Sequence, residues 1–182
     1  MSDFKDLIEN ADLYDGKNYE FVQNRFGKLK SAIHFKQGYL KIPQGIYFDC
    51  DFTITAWLKL NNNSFKFNNI MSFMTNNTEN QINIGVKANW PNKNCFNYNV
   101  WYHFAYVWNY ASVEPSRFFH MNGVIVYNDS IIYSPTKVQR TRNFIGKPIN
   151  SEANVDVILS DLKIYKGVLT FDEILNEYLQ TK

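Results

Sequence analysis

The amino-acid sequence predicts an all-β sandwich, and three features carry that prediction. From Phe52 to Leu60 the side chains alternate, with Phe52, Ile54, Ala56, Leu58 and Leu60 on one face and Thr53, Thr55, Trp57 and Lys59 on the other. This is the period-two pattern of a half-buried strand in the middle of a sheet. A similar alternation fills Trp101 to Trp108 and the pair Phe118 to Met121 and Val124 to Tyr127, with Asn122-Gly123 supplying the two positive-φ residues of a type I′ hairpin turn. Helical signals are confined to the two ends of the chain.

The remaining elements follow in order. Phe4 to Leu7 predicts at most one helical turn, because Asp15-Gly16 stops anything longer. Ser31 to Phe35 and Tyr39 to Ile42 flank Gln37-Gly38 and read as a tight hairpin before Pro43. Ile70 to Met74 is one further strand, and Ile82 to Trp90 another, alternating Ile82, Ile84, Val86, Ala88 and Trp90 against polar positions. Val155 to Lys166 sets Ile158, Leu162 and Ile164 among polar residues. Thr170 and Glu173 then form a capping box that opens a short helix, Phe171 to Leu179, with Ile174, Leu175 and Tyr178 turned to the sandwich. The asparagine runs at 61–63, 68–69 and 76–77 mark loops, because Asn tolerates turns better than strand interiors.

A chain of 182 residues fits one domain, and 45% hydrophobic against 20% charged residues is enough apolar material for a core. The net charge of +2 is scattered singly, which gives no electrostatic track for nucleic acid. The N-terminus carries acids where a secretory signal needs a basic start and an apolar run, and no window approaches the eighteen or so apolar residues of a membrane span, so no membrane insertion is expected. The expected location is extracellular or cell-surface as part of a larger protein, or cytoplasmic if the chain is full length. Cys50 and Cys95 lack the spacing of a zinc or thioredoxin-like site. One disulfide and two buried free thiols both remain open for them.

Several segments line up with a known pattern. "SAIHFKQGYLKIP", "FDCDFTITAWLKL", "WYHFAYVWN", "FFHMNGVIV", "NFIGKP" and "DLKIYKGVLTFDEILNEY" together resemble the strands and terminal helix of laminin-G-like domains in the concanavalin-A-like lectin/glucanase superfamily, from about residue 25 onward. The resemblance implies an antiparallel jelly-roll sandwich over residues 1–182, with 1–20 as an N-terminal segment and 170–180 as the terminal helix. It further implies two stacked sheets of about six or seven strands each, packed about 10 Å apart. Members include lectins, adhesion modules, receptor ectodomain pieces and accessory domains of polysaccharide-degrading enzymes. Many hold calcium at the sheet rim, which makes calcium the cofactor to test here, with its ligands unassigned.

Catalytic patterns are missing from the sequence. Family glycosidases place Glu-x-Asp-x-Glu on one strand, a nucleophile and an acid about 5 Å apart. Here Glu114, Glu152 and Glu173 are isolated, and Asp156 and Asp161 fall on opposite faces of a regular strand. His34, His103 and His120 each stand alone in a strand without a nearby acid, where a hydrogen-bonding role outweighs catalysis, and no GxSxG elbow occurs. Asp49 and Asp51 flank Cys50 at a spacing that could aim two carboxylates at one cation, although acids that solvate a strand end read the same way.

Trp57, Trp101 and Trp108 are expected to fill the interior or brace a sheet face. The candidate ligand-binding residues are Trp90, Asn92, Asn94 and Tyr98 in one aromatic and amide-rich stretch, and Asn128 and Asp129 after the hairpin. Sugars bind by such pairings, a ring for their C–H faces and amides or carboxylates for their hydroxyls. The function expected is non-catalytic binding of a glycan or extracellular protein through rim loops, with calcium as a possible aid. A structural or oligomerising domain is the alternative, and a polysaccharide-active enzyme the least favoured. The three Asn-x-Ser/Thr matches, at Asn62, Asn76 and Asn128, do not decide the compartment in so Asn-rich a chain.

Overall fold

The computed structural model describes residues 12–61, 68–76, 81–86, 97–132, 136–147 and 155–182. Among them are twelve strands and one helix. They are β1 (Tyr14–Val22), β2 (Ala32–Ile42), β3 (Gly45–Ile46), β4 (Phe52–Leu60), β5 (Asn68–Met74), β6 (Ile82–Val86), β7 (Trp101–Asn109), β8 (Ser116–Met121), β9 (Val124–Ser130), β10 (Gln139–Arg140), β11 (Arg142–Ile145), β12 (Asp156–Lys166) and α1 (Phe171–Thr181). Every pairing is antiparallel, so the all-β reading with a short terminal helix holds.

The layers differ from two separate sheets of six or seven strands. One ten-stranded sheet runs β6-β5-β11-β2-β12-β4-β7-β8-β9, with β1 beside β2, and β3 pairs only with β10. The sheet curls over itself because β2 serves both halves. Its residues Ile33 to Lys36 pair with β12, whereas Leu40 to Ile42 pair with β11. Gln37-Gly38 is therefore a bend within one strand, not a hairpin. Gln37 adopts φ +54°, and a Cβ on Gly38 would sit 2.1 Å from the Asn18 carbonyl oxygen. Turn chemistry here serves a close approach between β1 and the kink in β2.

Between the two halves lies a continuous apolar core that includes Phe35, Leu40, Ile54, Leu58, Phe73, Phe104 and Leu159. Each such side chain contributes about 1.5–3 kcal/mol on burial. Phe48 bridges the halves, its ring centroid 4.3 Å from that of Phe52 and 4.7 Å from that of Phe73.

The second face of β4 is also buried, because α1 lies across it. Thr53, Thr55 and Trp57 are almost without exposure, and Ile174 packs with Ala105 and Val107. The capping box forms as expected, with the Thr170 amide donating to Glu173 Oε2 at 2.7 Å and the Glu173 amide to Thr170 Oγ1 at 3.3 Å. Leu175 and Tyr178 lie beside Gly123, and Tyr178 also faces Trp57.

Several local expectations change. Strand β1 was not foreseen, because bulges at Asp15 and Asn18, both with positive φ, break its alternation. In β12 a bulge between Ser160 and Lys163, with Asp161 at φ +52°, shifts the faces. Val157, Leu159 and Leu162 consequently meet the core while Ile164 is exposed. Asn68-Asn69 opens β5 and is not a loop. Strand β6 is described to Val86, and the predicted turn at Phe4 to Leu7 lies outside the described residues. Trp57 and Trp108 are buried. Cys50 is an exposed free thiol, contrary to a buried one, and Cys95 lies outside the described residues. No helix among the described residues is long and apolar enough to cross a membrane.

Candidate ligand-binding site

The predicted residues Asn128 and Asp129 lie on the β8–β9 hairpin, whose ladder carries one irregularity between Phe119 and His120. Asn122 and Gly123 adopt φ +52° and +79°, as a type I′ turn requires. Arg117 pairs with Asp129, Phe118 with Asn128, and Ser116 with Ser130. Directly opposed residues share a face, so Ser116, Phe118, Asn128 and Ser130 project together. That face carries the helix, since Phe118 packs with Ala105, Val107 and Ile174. Asn128-Asp129-Ser130 is thus strand, and does not turn the chain.

An open depression of about 510 Å³ lies here, lined by Glu114, Ser116, Phe118, Asn128, Asp129 and Ser130. Arg117 Nη2 donates to Asp129 Oδ2 at 2.8 Å, and the Tyr127 hydroxyl donates to the same oxygen at 3.1 Å. The Arg117 bond and then the Tyr127 bond hold the Asp129 carboxyl below its usual pKa. An aromatic ring, an exposed amide and two hydroxyls therefore share one face of the hairpin with Glu114 beside them, while Asp129 projects from the opposite face of β9. Such a set can stack a sugar face and hydrogen-bond its hydroxyls.

The predicted residues do not form one cluster. Asn99, next to Tyr98, donates its amide to Leu60 O at 2.7 Å, at the end of β4 where β7 begins. Arg117 lies opposite Trp108, where β7 ends. Seven residues of extended strand put roughly 20 Å or more between these ends. Tyr98 packs against the core there and does not reach Asn128 or Asp129. Trp90, Asn92 and Asn94 lie outside the described residues.

Other polar groups are committed elsewhere. Both Asp51 carboxylate oxygens accept backbone amides, Tyr110 N at 2.8 Å and Ala111 N at 3.2 Å among them, so this acid caps a loop. Asp161 pairs with Arg25 at 2.5 Å. His34 is not without an acid, since its Nε2 lies 2.8 Å from Asp156 Oδ1 and its Nδ1 3.4 Å from Glu20 Oε1. His103 also approaches an acid, with Nε2 3.8 Å from Glu177 Oε1. These contacts join residues far apart in the chain, which no local motif signals. Among the described residues no three His, Cys, Asp or Glu side chains converge as a metal site.

A family model described as the concanavalin A-like lectin/glucanases superfamily (Laminin_G_3) matches residues 35–175. The chain belongs to this laminin-G-like family. Similar solved structures include the binding domain of Paraclostridial Mosquitocidal Protein 1, at 16% identity and a TM-score of 0.67 over 97% of this chain and 49% of that one. The receptor binding domain of botulinum neurotoxin type G matches at 14% identity and a TM-score of 0.63, over 94% of this chain and 47% of that one. Trypanosoma rangeli sialidase matches at 11% identity and a TM-score of 0.63, over 94% of this chain and 31% of that one. The laminin-G-like chain thus spans about half or less of the length of these neighbours, and the likeness shows a shared fold. No curated protein sequence matches the chain.

Proposed function

We propose that this laminin-G-like chain is a non-catalytic binding module that recognises a glycan or an extracellular protein through the depression on β8 and β9. The observation that carries the proposal is the exposed Asn128 amide beside the Phe118 ring on the β8–β9 hairpin, with Glu114 at the margin. Two of the structural neighbours are binding domains, which supports the reading. Non-catalytic action is supported by the described acids of β12, whose carboxylates are paired with His34 and Arg25 and not with each other. Trp90, Asn92 and Asn94 remain candidate contacts of a second rim, and calcium remains a candidate aid to binding.

A glycan array with and without calcium, read with the native chain, Asn128→Ala and Trp90→Ala, tests this. Binding lost in Asn128→Ala supports the depression, and loss only in Trp90→Ala moves the site to the other rim. No binding in any condition removes the lectin form of the proposal. A second reading, an oligomerising domain, is favoured by β9 as the last strand of the sheet, where Val124 and Ile125 are exposed. A stable dimer in light scattering, broken by Ile125→Lys, would favour it.

A further inference from the structure

The turn between β1 and β2 projects two large apolar side chains into solvent. Phe26 is 62% and Leu29 77% exposed, and Lys28 and Lys30 alternate with them. Among the described residues neither lysine has a carboxylate within ion-pair distance. The four side chains therefore form a convex tip that is at once apolar and basic.

The tip is held rigid from beneath. Asn24 Oδ1 accepts the amides of Phe26 at 3.0 Å and Lys28 at 3.1 Å, and Asn24 O accepts the Gly27 amide at 3.1 Å. Gly27 at φ +76° and Lys30 at φ +53° complete the turn. Arg25 anchors it to the body of the protein, with Nε donating to Thr181 O at 2.6 Å and Nη1 paired with Asp161. Its guanidinium lies 4.3 Å from the ring centroids of both Phe26 and Trp57. Phe26 therefore has one face on Arg25, while Leu29 has the greater exposure and stands out alone.

We infer that this tip docks shallowly on the surface of a bilayer containing anionic phospholipid. A protein partner needs roughly 800 Å² of surface on each side, which two side chains at a convex turn do not supply. A bilayer interface, by contrast, takes individual apolar side chains into its acyl boundary and attracts flanking lysines, whose stems lie along the boundary while their ammonium groups reach the headgroups. Such docking needs no spanning segment. It uses a surface apart from the β8–β9 depression and does not depend on the function proposed for that depression.

The test is vesicle co-sedimentation of the full chain. Phosphatidylserine-containing vesicles should bind it at least tenfold more tightly than phosphatidylcholine vesicles, and added salt should weaken the binding. Lys28→Ala with Lys30→Ala should cost roughly 25-fold, about fivefold for each lysine. Leu29→Ser, which removes a side chain with no packing role, should cost roughly fivefold or more and leave the melting temperature unchanged. Absence of binding to anionic vesicles, or binding that neither variant weakens, overturns the inference. Self-association lost in Leu29→Ser without any vesicle binding would assign the tip to a protein contact instead.

Discussion

Thr55 in β4 donates a 2.9 Å hydrogen bond to Oε1 of Glu177 in the terminal helix. The same carboxylate takes Lys163 Nζ at 2.8 Å and faces buried His103. Burial would push Glu177 up, yet His103, Lys163 and Thr55 outweigh it and leave the carboxyl at about 2. Together with the 2.9 Å bond from Trp57 Nε1 to Thr181 Oγ1, this cluster fastens α1 across the sheet.

Replacing Glu177 by Ala would strand the buried Thr55 hydroxyl and remove the partner of Lys163. A loss of about 2–3 kcal/mol in denaturant unfolding is expected. A loss below about 0.5 kcal/mol would show that the helix is held by its apolar contacts alone.

Acid should weaken the protein in two stages. His120 is 3% exposed, and burial first, with His103 second, pushes its pKa from 6.5 to about 4. A base whose folded pKa is depressed favours folding while neutral, so this stability is complete above about pH 6.5 and drains as the pH falls towards 4. Glu177 is depressed from 4.5 to about 2, so its contribution is complete above about pH 4.5 and is lost as the pH falls towards 2. The first stage is on the order of 2–3 kcal/mol, and the second, discounted for the half-exposed Lys163, on the order of 2 kcal/mol. Melting temperature against pH should show the upper stage in the native chain and not in His120→Asn. An upper stage of unchanged size in that variant would assign it to another group.

Gly123 couples the β8–β9 turn to the helix. It adopts φ +79°, and a Cβ there would lie 2.7 Å from Leu175 Cδ1. Gly123→Ala should therefore cost at least about 1–2 kcal/mol from backbone strain alone. A neutral result in thermal unfolding would mean that the turn relaxes without disturbing α1.

Much of this architecture was legible because its signals are local. β4 and β7 alternate, Asn122-Gly123 turns the β8–β9 hairpin, and Thr170 with Glu173 marks the helix start. β1 was illegible because Asp15 and Asn18 interrupt its pattern, and Gly38 looked like a turn because its role is to admit the backbone of β1. Long-range contacts left no trace in the sequence. Thr55 and Glu177 are 122 residues apart, and His34 meets Asp156 at the same separation. At the candidate site, Asn128 and Asp129 stood out as polar residues after a hairpin. Their placement beside Phe118 and Arg117 depends on strand register, as does the distance that separates them from Tyr98.

Ligand binding at the β8–β9 depression is tested most directly by comparing the native chain with Asn128→Ala on a glycan array while assaying the supernatant for released sugar. Asn128 is exposed, so the variant keeps its fold. Binding by the native chain, its loss in the variant and no sugar release are expected. Equal binding by both proteins, or release of sugar products, would contradict the account.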